Sequence, residues 1–167
     1  MLLTVLLSQI GHSVASAQYE YVADFKSFNL PDDCYEYVVN HPDTYVFIID
    51  YSLPESKKYT IKNGVDLIIK LKKVTPNSKF IIFTYVQTSI ELYKMYKKCK
   101  LCGFWYKGDL TVQKLIENLR LINEGLHIIT PTVQNKLNTV EEYTRYFDEF
   151  DLDIILLLSK GIKVNLV

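Results

Sequence analysis

Three polar side chains close short apolar runs and have types that can do chemistry together. Asp50 follows Tyr45–Ile49, Thr84 follows Phe80–Phe83, and Lys107 follows Gly103–Tyr106. A carboxylate can serve as a nucleophile. An ammonium pairs with an oxyanion as a compact point charge, and a hydroxyl donates to a further oxygen. Singly, each has a plainer reading. An Asp ending a strand commonly shapes a loop, a strand Thr packs as a β-branched residue, and a lysine at a turn is usually solvated. Their joint occurrence at three strand ends favours the chemical reading.

The elements that must position them follow from the hydrophobic pattern. Leu3–Leu7, Lys26–Leu30, Tyr45–Ile49, Phe80–Phe83 and Gly103–Tyr106 read as strands. Val14–Phe25, Asp32–Asn40, Asn63–Val74, Ser89–Lys98 and Leu110–Asn123 read as helices, with Pro31 at a first helical position and Asn63 as a cap. Apolar strands alternating with helices predict a parallel sheet covered on both faces. Ligands of such sheets bind beyond the carboxyl ends of the strands, so Asp50, Thr84 and Lys107 are expected on one rim.

Composition narrows the alternatives. The chain has 167 residues, 49% hydrophobic and 23% charged, with 19 basic and 19 acidic side chains. A zero net charge argues against a chain-wide nucleic-acid or membrane surface. Three cysteines, Cys34, Cys99 and Cys102, are too few and odd in number for a disulfide framework, and suit a reducing, cytoplasmic setting. Cys99 and Cys102 form a C-x-x-C without the second ligand pair of a zinc site, so the pair reads as incidental. The apolar start, Met1–Leu7, has no Lys or Arg before Lys26. It therefore reads as a buried strand and not as a secretion signal or a membrane span. His12, His41 and His127 have no evident nucleophile partner, and no Gly-rich phosphate loop is present.

The segments around the three polar residues resemble the receiver domains of bacterial two-component response regulators, in the NarL/FixJ/LuxR branch. Tyr45-Val-Phe-Ile-Ile-Asp50-Tyr-Ser-Leu-Pro54 resembles the third receiver strand, and Asn63-Gly64-Val-Asp-Leu-Ile the start of the next helix. Phe80-Ile-Ile-Phe-Thr84 and Gly103-Phe-Trp-Tyr-Lys107-Gly-Asp109 resemble the fourth and fifth strands. Leu119–Pro131 is similar to that branch's last helix and its exit. The resemblance covers most of residues 1–137. It implies a flavodoxin-like, five-stranded parallel sheet of order 2-1-3-4-5. It also implies that Asp50 is the phosphoacceptor, with Lys107 on a phosphate oxygen and Thr84 as the switch hydroxyl. Ser52 would offer a backbone carbonyl to Mg²⁺, and Trp105 would stand where an aromatic residue reports the switch. A sensor histidine kinase would be the phosphate donor. A homodimer would form through the first and fifth helices, to which Val14, Tyr21, Val22 and Leu115 supply apolar groups.

Two positions depart from that pattern. Aligning Leu3–Leu7 with the first strand puts Ser8 and Gln9 where receivers carry the acidic pair that holds Mg²⁺ with the phosphoacceptor. Asp24, Asp32 and Asp33 are acidic but fall on later elements. Tyr85 stands where the family keeps a small residue. Weak or absent Mg²⁺ binding and slow phosphorylation at best are the expectation.

Beyond residue 137 the sequence reads as a linker over 138–149 and then, over 150–167, as a truncated or degenerate LuxR-type helix-turn-helix opening. Phe147–Gly161 carries that likeness. Phe147 and Asp148 take the place of that opening's Leu-Thr, Asp151 takes the Glu place, and Phe150 replaces the Arg. A plain terminal amphipathic helix is the other reading. The helix that would read bases lies beyond Val167 in the family, so DNA contact is expected only through a domain not complete here. Three functions stay open: a transcription regulator gated by its receiver, a phosphate-independent interaction or dimerisation module, and an unrelated α/β enzyme using Asp50 and Lys107. The resemblance disfavours the enzyme.

Overall fold

The computed structural model describes residues 4–12, 21–86 and 88–162. Its elements are β1 (Thr4–His12), β2 (Tyr21–Phe28), α1 (Pro31–Asn40), β3 (Tyr45–Asp50), α2 (Gly64–Val74), β4 (Lys79–Thr84), α3 (Ser89–Lys98), β5 (Gly103–Tyr106), α4 (Val112–Asn123), β6 (Ile128–Ile129), α5 (Pro131–Tyr143) and α6 (Glu149–Ser159). They build an α/β fold around one six-stranded sheet of order β2-β1-β3-β4-β5-β6.

The expected order of the first five strands holds, and β3, β4, β5 and β6 run parallel. Two features differ from the expected five parallel strands. The two-residue β6 extends the edge beside β5, Gly103 pairing with Ile128. More consequentially, β1 runs antiparallel to both β2 and β3. Only residues 13–20 separate β1 from β2, whereas a parallel crossover takes a dozen or more. The helix expected over Val14–Phe25 therefore gives way at Tyr21 to strand, and its residues 14–20 lie outside the described residues. Tyr21 and Val22, assigned above to a dimer-forming first helix, are strand residues, while Leu115 lies half-buried on α4.

The core is split by the sheet. Phe47, Ile49, Phe80, Ile82 and Phe104 face one layer, filled by Cys34 and Val38 of α1, Leu67, Ile68 and Leu71 of α2, Leu92 and Met95 of α3, and Val133, Leu137 and Val140 of α5. Val46, Ile48, Ile81 and Trp105 face the other, closed by Leu119 and Ile122 of α4. The period-2 alternation within apolar strands is what a sheet covered on both faces requires. The C-x-x-C pair is divided between the same two layers: Cys99 belongs to the first and Cys102 packs against the second. That arrangement suits neither a shared metal nor a disulfide.

The boundary drawn after residue 137 falls inside α5, whose buried Leu137 and Val140 continue the core. Leu152 of α6 joins the same cluster. Asp148 caps α6 in a reciprocal box with Asp151, each side chain accepting from the other's backbone N–H. The pattern is visible in the sequence as two acids three residues apart ahead of an apolar run. No helix among the described residues is long and apolar enough to cross a membrane.

Candidate functional site at the strand ends

Asp50 is the last residue of β3, Thr84 the last of β4, and Lys107 follows β5 directly. Because the three strands are parallel and in register, with Asp50 opposite Phe83 and Thr84 opposite Tyr106, their ends share one rim. The expected convergence is what the backbone produces.

Local sequence fixes each group. Asp50 is 4% exposed. Its Oδ1 accepts from Ser52 N at 3.0 Å, and its Oδ2 accepts from the Lys107 ammonium in a salt bridge. Only 14% of the Lys107 side chain is exposed. The ammonium lies 5.0 Å from the ring centroid of Tyr85 and 5.2 Å from that of Phe83, within cation–π range. Thr84 is fully buried, and its Oγ1 accepts from Val86 N at 2.9 Å. The Thr84 hydroxyl thus shapes the turn into α3.

The Asn63-Gly64 pair has a steric cause. Asn63 caps α2, its side chain accepting from Val65 N and Asp66 N. Gly64 N donates to Tyr51 O at 2.9 Å. A Cβ on Gly64 would stand 2.3 Å from Asp50 O and 2.9 Å from Ile49 Cγ2. The start of α2 can approach the end of β3 this closely only without a side chain.

Two sequence assignments need correction. Ser8 pairs with Tyr45, the opening residue of β3. Five strand steps then separate it from the Asp50 level, roughly 17 Å. Gln9 follows in the irregular stretch between Ser8 and Gly11. The antiparallel direction of β1 carries both away from the rim, so they do not replace an acidic pair there. Trp105 is fully buried on the α4 side of the sheet, its indole N–H donating to Ile128 O at 3.1 Å. Locked in that way, it is poorly placed to report a switch. The aromatic residue that shares the rim is Tyr106, half-buried and set edge-on to Tyr85 at 6.0 Å between centroids. Sequence reading missed it.

Of the donor set that the resemblance implies for Mg²⁺, only Asp50 and the adjoining Ser52 lie at this rim. Asp32 and Asp33 occupy the first turn of α1, which follows the end of β2 on the same edge of the sheet as the end of β3, and Asp32 Oδ1 is buried without a hydrogen-bond partner. Among the described residues no group of three or more His, Cys, Asp or Glu is placed to hold a metal ion. A phosphoacceptor carboxylate already engaged by a lysine, and not part of such a group, is a poor fit for a cation that dehydrates reluctantly and depends on carboxylates to hold it.

No family model and no curated protein matches the sequence. Solved structures do match. A LuxR-family two-component response regulator from Aurantimonas sp. SI85-9A1 superposes at a TM-score of 0.54 and 15% identity, over 67% of this chain and 74% of that one. RcsB from Salmonella enterica serovar Typhimurium, bound to promoter P1flhDC with the phosphomimetic BeF3-, superposes at 0.60 and 19% identity, over 80% of this chain. The fold is that of a response-regulator receiver. A further match to this receiver fold is a structure of two RcsB dimers on two parallel DNAs, at 0.59 and 19% identity. The match spans 62% and 61% of those two RcsB chains. At such identities the likeness is one of fold, and the chemistry of the rim has to be argued from its own residues.

Proposed function

We propose that this chain is a receiver module of a two-component transcription regulator, and that its Asp50 site accepts a phosphoryl group weakly or not at all. The observation that carries the reading is the buried salt bridge between Asp50 and Lys107. In a site built for transfer, the carboxylate must be free to attack and a cation must offset charge on the incoming group. Here the nucleophile's own oxygen is engaged by the lysine, the ring of Tyr85 stands beside that lysine, and among the described residues no group of three metal-ligating side chains is placed to hold a cation. The pair holds the rim closed without a ligand.

The reading favours a phosphate-independent interaction or dimerisation module over a phosphate-gated one. A sensor histidine kinase remains the natural donor if transfer occurs. A second copy of the chain is the natural partner, with Val112 and Ile116, 72% and 55% exposed on α4, as the apolar contact. DNA contact would belong to a C-terminal domain beyond α6, by analogy with the matched regulators. Incubation with Mg²⁺ and a small-molecule phosphodonor, followed by intact-mass measurement, tests the proposal. Little or no phosphorylated species is expected. Stoichiometric phosphorylation, abolished by Asp50→Ala, would overturn it.

A further inference from the structure

The first turn of α5 is held by a residue outside α5. Its N-cap, Thr130, makes no side-chain cap, because Thr130 Oγ1 accepts instead from Tyr106 N at 2.9 Å. The orphan N–H of Thr132 is taken by Asp109, whose Oδ2 accepts it at 2.8 Å. The Thr132 hydroxyl donates to Asp109 Oδ1 at 2.6 Å. A carboxylate at this position also complements the positive end of the helix dipole.

Asp109 belongs to the short 3-10 turn Lys107–Asp109. The turn that presents the ammonium to Asp50 is therefore the turn that caps α5, two residues away. From α5 the contact continues outward. Val133, Leu137 and Val140 bury one face of the helix in the layer that Leu92 and Met95 of α3 also fill. α6 is tied to α3 by the ion pairs Lys94–Asp153 and Lys160–Glu91. Lys107 cannot leave Asp50 by moving its backbone turn without disturbing the donors at Thr132.

We propose that Asp109 is a positioning residue that couples the Asp50–Lys107 pair to the docking of α5 and α6 on α3. Displacing Lys107, whether by an anion at the rim or by loss of the Asp50 charge, shifts the turn, releases Thr132 and loosens the two C-terminal helices. The inference rests on the reading of Asp50–Lys107 as the signalling site, but it requires no phosphoryl transfer.

Amide hydrogen exchange on the whole chain tests it, comparing wild type, Asp50→Asn, Asp109→Asn and the double variant. Asp50→Asn is expected to speed exchange in α5 and α6 by roughly fivefold, the size of a lost helix cap. Asp109→Asn is expected to do the same, and the double variant to go no further than either single one. Thr132→Ser, which keeps both donors, should behave as wild type. A purely structural cap would give a different pattern: Asp109→Asn would speed α5 alone, and Asp50→Asn would leave α5 and α6 unchanged or add independently. Either of those results overturns the coupling. If Asp50→Asn does not fold, Lys107→Gln serves in its place with the same two outcomes. Since no variant carries phosphate, a failure of phosphorylation and a failure of this coupling are read separately.

Discussion

Lys107 meets Asp50 across two strand ends, 57 residues apart in sequence, with both side chains almost wholly withdrawn from water. Breaking such a pair from one side leaves a buried charge uncompensated, at a cost of about 3–5 kcal/mol. Lys107→Met is therefore expected to destabilise the protein by about that amount in urea unfolding. Adding Asp50→Asn should restore part of the loss, because the orphaned charge goes with it. Additive losses from the two substitutions would contradict the pairing.

Gly64→Ala places a methyl group against Asp50 O and Ile49 Cγ2. The backbone of β3 is central to the sheet and cannot give way cheaply. A loss of about 1–3 kcal/mol is expected, as for other overpacked sites. The thermal midpoint measures it, and an unchanged midpoint would contradict the close approach of α2 to the end of β3.

How much of this was legible in the sequence depends on the element. Asp50, Thr84 and Lys107 could be found because each ends an apolar run in a stretch where parallel strands share an edge. The direction of β1 was legible in principle from the few residues between His12 and Tyr21, but the family alignment at Leu3–Leu7 outweighed that count. The anchoring of the Trp105 indole on Ile128 O had no local signal, since 23 residues separate the two. The Asp109–Thr132 contact had no local signal: 23 residues separate its partners, and only the docking of α5 beside β5 brings them together.

Burial gives the three thiols a reactivity order. Cys34 is fully buried, which pushes its pKa up to about 12. Burial also raises Cys99, against the lowering effect of Lys72 and Lys98. Cys102 is partly exposed. Because the thiolate is the reactive form, iodoacetamide near pH 8 should modify Cys102 first and Cys34 last. Peptide mass spectrometry reads the order, and early labelling of Cys34 would contradict the packing of α1.

The Asp109 cap has a pH signature. Burial pushes its carboxyl up, but hydrogen bonds from Thr132 and Thr130, with Lys114 nearby, outweigh that and hold it below the usual aspartate value. A folded value below the unfolded one means the stabilisation is fully present above about pH 4 and is lost as pH falls through the lowered value. Asp109→Asn should accordingly be less stable than wild type at pH 6, and the difference should close under acid. A pH-independent difference in urea unfolding would show that the charge at Asp109 is immaterial.

The most direct test of the closed rim is a calorimetric titration of Mg²⁺ into the wild-type chain at neutral pH. With Asp50 already held by Lys107 and no group of three metal ligands among the described residues, the expected result is no saturable binding in the millimolar range, with Asp50→Ala indistinguishable from wild type. Saturable binding at micromolar Mg²⁺, lost in Asp50→Ala, would contradict the account and place further acidic ligands at the rim.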